Sequence, residues 1–252
     1  LPWPIDQLAD SIGMSPPSEI VGISLERTSA TDEDLRHVNR LGDLAEVSLA
    51  ETRITDAGLQ QLSGQTELMG LNLKNTDVVN PDLGSFSELT ALDISHTQVD
   101  DAGLQNVAHL ANLTWLDISN TPVTDAGLQH LSGLVELEVL YADPTRIRGP
   151  GLECLKQMPN LRDLSLSGEY VDDVTLGYLG GLPQLQRVFL RNTRITDAGL
   201  QDLGSLSNLR SLKLSRSRIT DAGLSQLKGL TNLESLMLDG TQITDLGPRH
   251  LS

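Results

Sequence analysis

The strongest constraint on the fold of this chain is a short segment that recurs along it. Thr52-Arg53-Ile54-Thr55-Asp56-Ala57-Gly58-Leu59 returns in nearly the same form at 121–128, 193–200 and 217–224. Alignment of the copies gives a 24-residue unit, TxITDAGLQxLxxLxxLxxLxLxx, in which Thr52 holds position 1. A fixed period of this length predicts structural units stacked in a row. Units begin at Thr28, Thr52, Thr76, Thr97, Thr121, Thr145, Glu169, Thr193, Ser217 and Thr241, and the unit at Thr76 is three residues shorter than its neighbours.

Each unit contains two hydrophobic patterns that predict different secondary structures. Near the end of the unit apolar and polar residues alternate, as around Leu116 and Ile118, which is typical of a short strand. Earlier in the unit the apolar residues recur at every third position, which is typical of a short helix: Leu104, Val107 and Leu110. We therefore predict a strand, a turn, a helix and a return segment in each unit.

The start of each predicted helix carries a threonine, an aspartate and a glycine. Thr124 suits the N-cap, and Asp125 in the first turn is favoured by the helix dipole. Gly127 suits a position where the backbone closely approaches its neighbour. Calcium would need about six to eight oxygens converging on one point, so we predict a structural role for the recurring aspartates. These are Asp32, Asp56, Asp101, Asp125, Asp173, Asp197, Asp221 and Asp245.

Ten segments fit the strand pattern, and stacking of the units would bury their apolar side chains. The segments begin near Ile20, Leu44, Leu68, Leu89, Leu113, Leu137, Leu161, Leu185, Leu209 and Leu233. We predict burial of Leu116, Ile118, Leu140, Leu164, Leu166, Leu212 and Leu214. The unit at Thr76 lacks the equivalent of Leu62, so we predict that it has no full helical turn.

The repeat pattern also predicts the domain boundaries. Residues 1–19, which contain Trp3, Pro16 and Pro17, break the pattern and are predicted to form an N-terminal cap. Residues 20–252 are predicted to form the repeat array, whose last unit is truncated. We expect the chain to be part of a larger protein.

These residues resemble the leucine-rich repeat family. The family signature LxxLxLxxN corresponds here to LxxLxLxxT, and residues 209–217 read LRSLKLSRS, with Ser217 at the threonine position. The 24-residue unit with its TDAGL spacer is most similar to a bacterial, planctomycete-like subclass, and is less similar to F-box-type repeats. The resemblance implies an α/β right-handed solenoid with a parallel sheet on the concave face and short helices on the convex face. It also implies an interaction scaffold, in which unit positions 19, 21 and 23 point out of the sheet.

Those outward positions carry aromatic and charged residues in the middle and C-terminal strands. Exposed aromatic side chains flanked by charge are typical of interface hot spots, and opposed charges orient a partner. Two alternatives stay open: the aromatic side chains only cover neighbouring strands, or the charges form salt bridges within the sheet. We predict a partner-binding site formed by Asp93, Trp115, Asp117, Tyr141, Asp143, Asp163, Arg187, Phe189, Arg191, Lys213 and Met237.

Charge and motifs exclude several other classes of function. The net charge of −16 disfavours nucleic acids and anionic membrane surfaces as partners. No apolar run approaches the roughly 20 residues that span a bilayer. The sequence contains no GxSxG, Walker, GxGxxG or HExxH motif, and its histidines lack metal-ligand spacing. Cys154 has no predicted base beside it, so we expect an inert thiol, no catalytic residue, no metal and no cofactor.

The leading hypothesis is a non-enzymatic protein-binding module that uses the concave sheet face. One alternative is a structural spacer of the cell envelope, although its outward positions would have no reason to be patterned. Another is a carbohydrate- or peptidoglycan-binding module, in which Trp115 and Tyr141 would stack on sugars beside Asp117 and Asp143.

Overall fold

A computed structural model describes residues 21–250 of the chain. The N-terminal cap predicted for residues 1–19 lies outside this range. The described part contains ten strands of three residues each, which form one parallel sheet in chain order. They are β1 (Gly22–Ser24), β2 (Glu46–Ser48), β3 (Gly70–Asn72), β4 (Ala91–Asp93), β5 (Trp115–Asp117), β6 (Val139–Tyr141), β7 (Asp163–Ser165), β8 (Arg187–Phe189), β9 (Ser211–Lys213) and β10 (Ser235–Met237).

Each strand pairs with the equivalent residues of the next unit. Trp115, for example, pairs with Val139. The shorter unit keeps this alignment, since Gly70 pairs with Ala91 and the three missing residues fall between the two strands. The predicted α/β solenoid is confirmed, with its parallel sheet on one side and short helices on the other. The strands begin two residues after the leucines that mark them in the sequence.

Helices occupy the part of the unit between one strand and the next. The α-helices span Asp32–Val38, Asp56–Gln60, Asp101–Leu104, Asp125–Leu128, Asp173–Leu179 and Leu200–Leu203. Helices of the 3-10 type span Gln105–Val107, Gln129–Gly133, Pro150–Gln157, Gly223–Gly229 and Gly247–His250. No helix lies between β3 and β4, both within the described range, which confirms the prediction for the shorter unit. Leu83 and Phe86 fill the core there instead.

One continuous aliphatic core lies between the sheet and the helices. The strand residues predicted to be buried are all at most 1% exposed: Leu116, Ile118, Leu140, Leu164, Leu166, Leu212 and Leu214. After each strand, the hydroxyl group at unit position 1 closes the turn. Thr52 Oγ1 donates a hydrogen bond to the Leu49 carbonyl oxygen at 2.6 Å, and Thr97 and Thr121 make the same bond in their units.

The recurring aspartates link each unit to the next. Asp101 accepts hydrogen bonds from the backbone N–H of Thr124 at 2.7 Å and from its Oγ1 at 2.6 Å. The same two bonds join Asp32 to Thr55, Asp173 to Thr196, Asp197 to Thr220 and Asp221 to Thr244. The aspartates therefore do more than the helix-start role predicted from the sequence. They hold neighbouring units in register.

The glycine of the spacer makes room for this link. A Cβ atom on Gly127 would lie closer to Asp101 Oδ1 than atoms in contact allow. Gly58 and Gly223 stand in the same relation to Asp32 and Asp197. The recurring threonine, aspartate and glycine of the spacer thus act together: the aspartate of one unit binds the threonine of the next, and the glycine leaves space for this contact.

Candidate functional site

The outer surface of the sheet is formed by the side chains that flank the buried strand residues. We call it the sheet face and define it by unit positions 19, 21 and 23, which around β5 are Trp115, Asp117 and Ser119. Because Leu116 and Ile118 between them are buried, the flanking side chains project from the opposite side of the strand. All the site residues predicted from the sequence occupy positions of this face.

Aromatic contacts organise the centre of the sheet face. The rings of Trp115 and Tyr141 meet edge to face, with centroids 5.8 Å apart and planes at 83°. On β8 and β9, Lys213 Nζ lies 4.3 Å from the centroid of the Phe189 ring. Buried Ser165 pairs with Tyr141 on one side and with Phe189 on the other. This small residue leaves a depression between the two rings.

Asp93 and Asp117 form the acidic side of the centre, as direct partners in neighbouring strands. Each carboxylate accepts a hydrogen bond at 2.8 Å from the backbone N–H two residues later. Burial, together with the negative charges of Asp93 and Asp143, raises the pKa of Asp117 to about 7. Burial also raises the pKa of Asp93. The charge of Asp117 therefore changes close to neutral pH.

Asp143 has one carboxylate oxygen in use and one without a partner. Its Oδ2 atom accepts a short hydrogen bond from Ser165 Oγ. Its Oδ1 atom is buried and has no hydrogen-bond partner among residues 21–250. Because buried acceptors are rarely left unpaired, this oxygen is suited to a donor that comes from a bound molecule.

Asp163 and Arg187 form an ion pair across β7 and β8. Arg187 Nε lies 2.6 Å from Asp163 Oδ1, and the Asp163 side chain is almost fully covered. The hydrogen bond to Asp163 raises the pKa of Arg187. The alternative of salt bridges within the sheet therefore applies to this pair, whose charges largely cancel.

Arg191, Lys213 and Met237 lie on the C-terminal side of the sheet face. Arg191 is exposed and makes no ion pair with any residue that the structure describes. Burial, with a smaller effect of the charge on Arg191, lowers the pKa of Lys213. Arg191 and Met237 also line a cavity of about 410 Å³ with Arg216 and Asp239. This side of the site is basic with an apolar margin.

Two cavities flank the ring of Tyr141. One, of about 250 Å³, is lined by Asp117, Ser119, Tyr141, Asp143, Ser165, Phe189, Arg191 and Lys213. The other, of about 290 Å³, is lined by Glu26, Arg27, Ala50, Glu51, Asn72, Lys74, Asp93, Trp115, Asp117 and Tyr141. Asp117 and Tyr141 line both cavities and therefore lie between them on the sheet face.

The second cavity includes residues that the sequence-based prediction omitted. Lys74 holds an outward position of the sheet face. It was left out of the predicted partner-binding site because it belongs to neither the acidic nor the basic cluster of the sequence. Arg27 and Glu51 form an ion pair at 3.0 Å and occupy unit position 24, where the backbone φ angle is 57° for both. The sequence does indicate this left-handed turn, because other units carry asparagine or glycine at the same position, such as Asn75 and Gly168.

Cys154 is a core residue and forms no site. It is 2% exposed, its Sγ donates to the Leu128 carbonyl oxygen, and burial raises the pKa of its thiol to about 12. Among residues 21–250, no group of histidine, cysteine, aspartate and glutamate side chains could hold a metal ion. Over the same range, no helix has the length and apolar character to cross a membrane.

Comparison with known proteins agrees with this geometry. Residues 88–108, 109–132 and 205–228 match the family described as Leucine Rich repeat. The chain is similar to the crystal structure of an internalin C2 from Listeria monocytogenes, at 28% identity and a TM-score of 0.63, over 83% of this chain and 84% of that one. No curated protein sequence matches the chain.

Two further solved structures share the fold at lower identity. An internalin from Listeria monocytogenes aligns at 17% identity and a TM-score of 0.54, over 92% of this chain and 85% of that one. The plant peptide hormone receptor RGFR1, solved in complex with RGF2, aligns at 16% identity and a TM-score of 0.54, over 94% of this chain and 48% of that one. Three segments of the chain thus match the leucine-rich repeat family, and its ten-stranded parallel sheet with short helices is the fold of a leucine-rich repeat solenoid.

Proposed function

We propose that this chain is a non-enzymatic protein-binding module whose sheet face contacts the partner. The observation that carries the proposal is the concentration of aromatic rings, unlike charges and cavities on one surface. Trp115, Tyr141 and Phe189 lie within the four neighbouring strands β5 to β8, and two cavities adjoin Tyr141. Aromatic anchors beside a polar rim are what stable protein interfaces require.

The side chains of the sheet face should lose little conformational entropy when a partner binds. Its side chains stand on strands whose backbones are held by the ladder of parallel pairs and by the aspartate links between units. The rings of Trp115 and Tyr141 already support each other, so little rotamer freedom is lost when a partner docks. We expect these two residues to contribute most to the binding free energy.

The geometry of the aromatic pair favours a protein ligand over a carbohydrate. Stacking on sugars uses an open, flat ring surface, whereas the planes of Trp115 and Tyr141 are nearly perpendicular and each ring covers part of the other. Both side chains are only partly exposed.

We also propose that the units belong to the bacterial, planctomycete-like subclass. The role of threonine, aspartate and glycine in the TDAGL spacer supports this proposal.

Affinity capture followed by mass spectrometry tests the proposed function. The intact chain, the variant Trp115→Ala/Tyr141→Ala and the control Gln105→Ala are immobilised and exposed to native lysate. Gln105 is exposed, lies on the helical side and makes no side-chain hydrogen bond with any described residue. We expect a protein retained by the intact chain and the control and lost from the double variant.

Cell-wall material and a glycan array run in parallel distinguish the alternatives. Retention of glycans that depends on Trp115 and Tyr141, without any retained protein, would favour the carbohydrate-binding hypothesis. Equal retention by all three immobilised chains would contradict the proposed role of the sheet face.

A further inference from the structure

We infer that the partner presents an extended segment that crosses the strands of the sheet face, with a basic, an apolar and an acidic residue at alternate positions. This inference rests on the proposed function and specifies the chemistry of the bound segment. It follows from three neighbouring features of the sheet face and from the distance between them.

The first feature is the acidic pair Asp117 and Asp143, on β5 and after β6. The Oδ1 atom of Asp143 is a buried acceptor without a partner among residues 21–250. Asp117 lies in the same cavity, where its burial and, to a smaller extent, the negative charges around it make its own ionisation unfavourable. A lysine or arginine side chain of the partner would donate to Asp143 and relieve this repulsion.

The second feature is the depression between Tyr141 and Phe189. Ser165 forms its floor on β7, and the cavity above measures about 250 Å³. Tyr141 and Phe189 line this cavity from the strands on either side of Ser165, so the space suits one apolar side chain of the size of leucine or valine. Burial of such a side chain removes apolar surface of both molecules from water.

The third feature is the basic pair Arg191 and Lys213, after β8 and on β9. Neither side chain makes an ion pair with any residue in the described part of the chain. They line the same cavity as the acidic pair, at its opposite end. A carboxylate of the partner would therefore neutralise a charge that the sheet leaves uncompensated.

The spacing of these features matches an extended chain. The midpoint of the acidic pair and the midpoint of the basic pair are three strand spacings apart, which is about 14 Å, and β7 lies halfway. An extended segment advances about 3.3 Å per residue, and alternate side chains face the same side. Residues i and i+4 are then about 13 Å apart, and residue i+2 faces the depression. The matching pattern is basic-x-apolar-x-acidic, and the distance alone does not specify the chain direction.

Selection from a random library of linear dodecapeptides tests the pattern without a known partner. The bait is the intact chain, and the binding of the selected peptides is then measured on three variants: Asp117→Asn/Asp143→Asn, Arg191→Gln/Lys213→Gln and Trp115→Ala. Asparagine keeps the acceptor atoms that bind Ser119 and Ser165, so the sheet is expected to remain intact. The control is Asp43→Asn, which makes the same substitution at one exposed residue that precedes β2.

We expect the selected peptides to be enriched in basic and acidic residues four positions apart with an apolar residue between them. Each double variant should weaken binding at least tenfold, and Asp43→Asn should leave it unchanged. Peptides that depend on Trp115 but lack this spacing would overturn the inference and leave the proposed function standing. Peptides that bind Trp115→Ala and both double variants unchanged would contradict both, and a selection without any binder would overturn the inference.

Discussion

Removing one aspartate of the inter-unit link should destabilise the solenoid more than an ordinary surface substitution. Asp101 accepts two hydrogen bonds from Thr124 in the next unit, at 2.7 and 2.6 Å. Hydrogen bonds to a charged group contribute about 1.5 to 3 kcal/mol each, and water can replace part of this at a half-buried site. We therefore expect Asp101→Ala to lower the free energy of unfolding by about 2 to 4 kcal/mol.

Urea unfolding followed by circular dichroism measures this difference, as a lower midpoint. The matched control is Asp245→Ala, because Asp245 holds the same unit position but makes no side-chain hydrogen bond within residues 21–250. A loss below about 0.5 kcal/mol for Asp101→Ala, the level of an ordinary surface change, would refute the assigned role.

A double-mutant cycle sharpens the test. Gly127→Ala should be destabilising in the intact chain, since its Cβ atom would collide with Asp101 Oδ1. In the Asp101→Ala background the closest colliding atom, Oδ1, is gone and only the backbone Cα atom remains close at 3.1 Å, so the same glycine substitution should cost less free energy of unfolding. Additive effects of the two substitutions would show that the glycine and the aspartate do not interact.

Further predictions concern the core, the sheet face and its charges. Leu140→Ala should lower the free energy of unfolding by about 2 to 5 kcal/mol, measured by urea unfolding. Burial raises the pKa of Asp117 from 3.8 to about 7, so the folded state binds more protons than the unfolded state between these pH values. The free energy of unfolding should therefore fall as the pH rises from about 4 to about 7. Thermal unfolding of Asp117→Asn over this pH range should show a smaller fall. Arg187→Ala should lower the free energy of unfolding by about 1 to 3 kcal/mol, measured by urea unfolding, because it leaves Asp163 buried without its partner. Arg191→Ala should mainly slow association and reduce its salt dependence in stopped-flow measurements.

The repeated pattern made the fold predictable. Equivalent residues must pair in a stacked array, so the alternation around Leu116 and Ile118 was sufficient to predict which strand residues are buried and which lie on the sheet face. The shorter unit was also predictable, since three missing residues remove one turn of helix. The role of the spacer was only partly predicted, because a hydrogen bond between units cannot be recognised from one unit alone.

The charges of the sheet face were less predictable than its positions. Sequence alone could not distinguish Asp163, which Arg187 covers, from Asp143, which keeps an unpaired oxygen. That difference depends on rotamers and on the length of the neighbouring side chains. Lys74 was omitted although its position faces outward, because the prediction relied on charge clusters along the chain. The structure brings Lys74 into a cavity with Trp115.

The most direct test of the central claim is the binding affinity of Trp115→Ala and Tyr141→Ala for the captured partner, measured by isothermal titration calorimetry. Both rings lie on the sheet face beside the cavities, so each variant should lose at least about 2 kcal/mol of binding free energy, which is roughly a thirtyfold higher Kd. Gln105→Ala, on the helical side, should bind like the intact chain. Unchanged affinity for both aromatic variants would contradict the account and move the partner site off the sheet face.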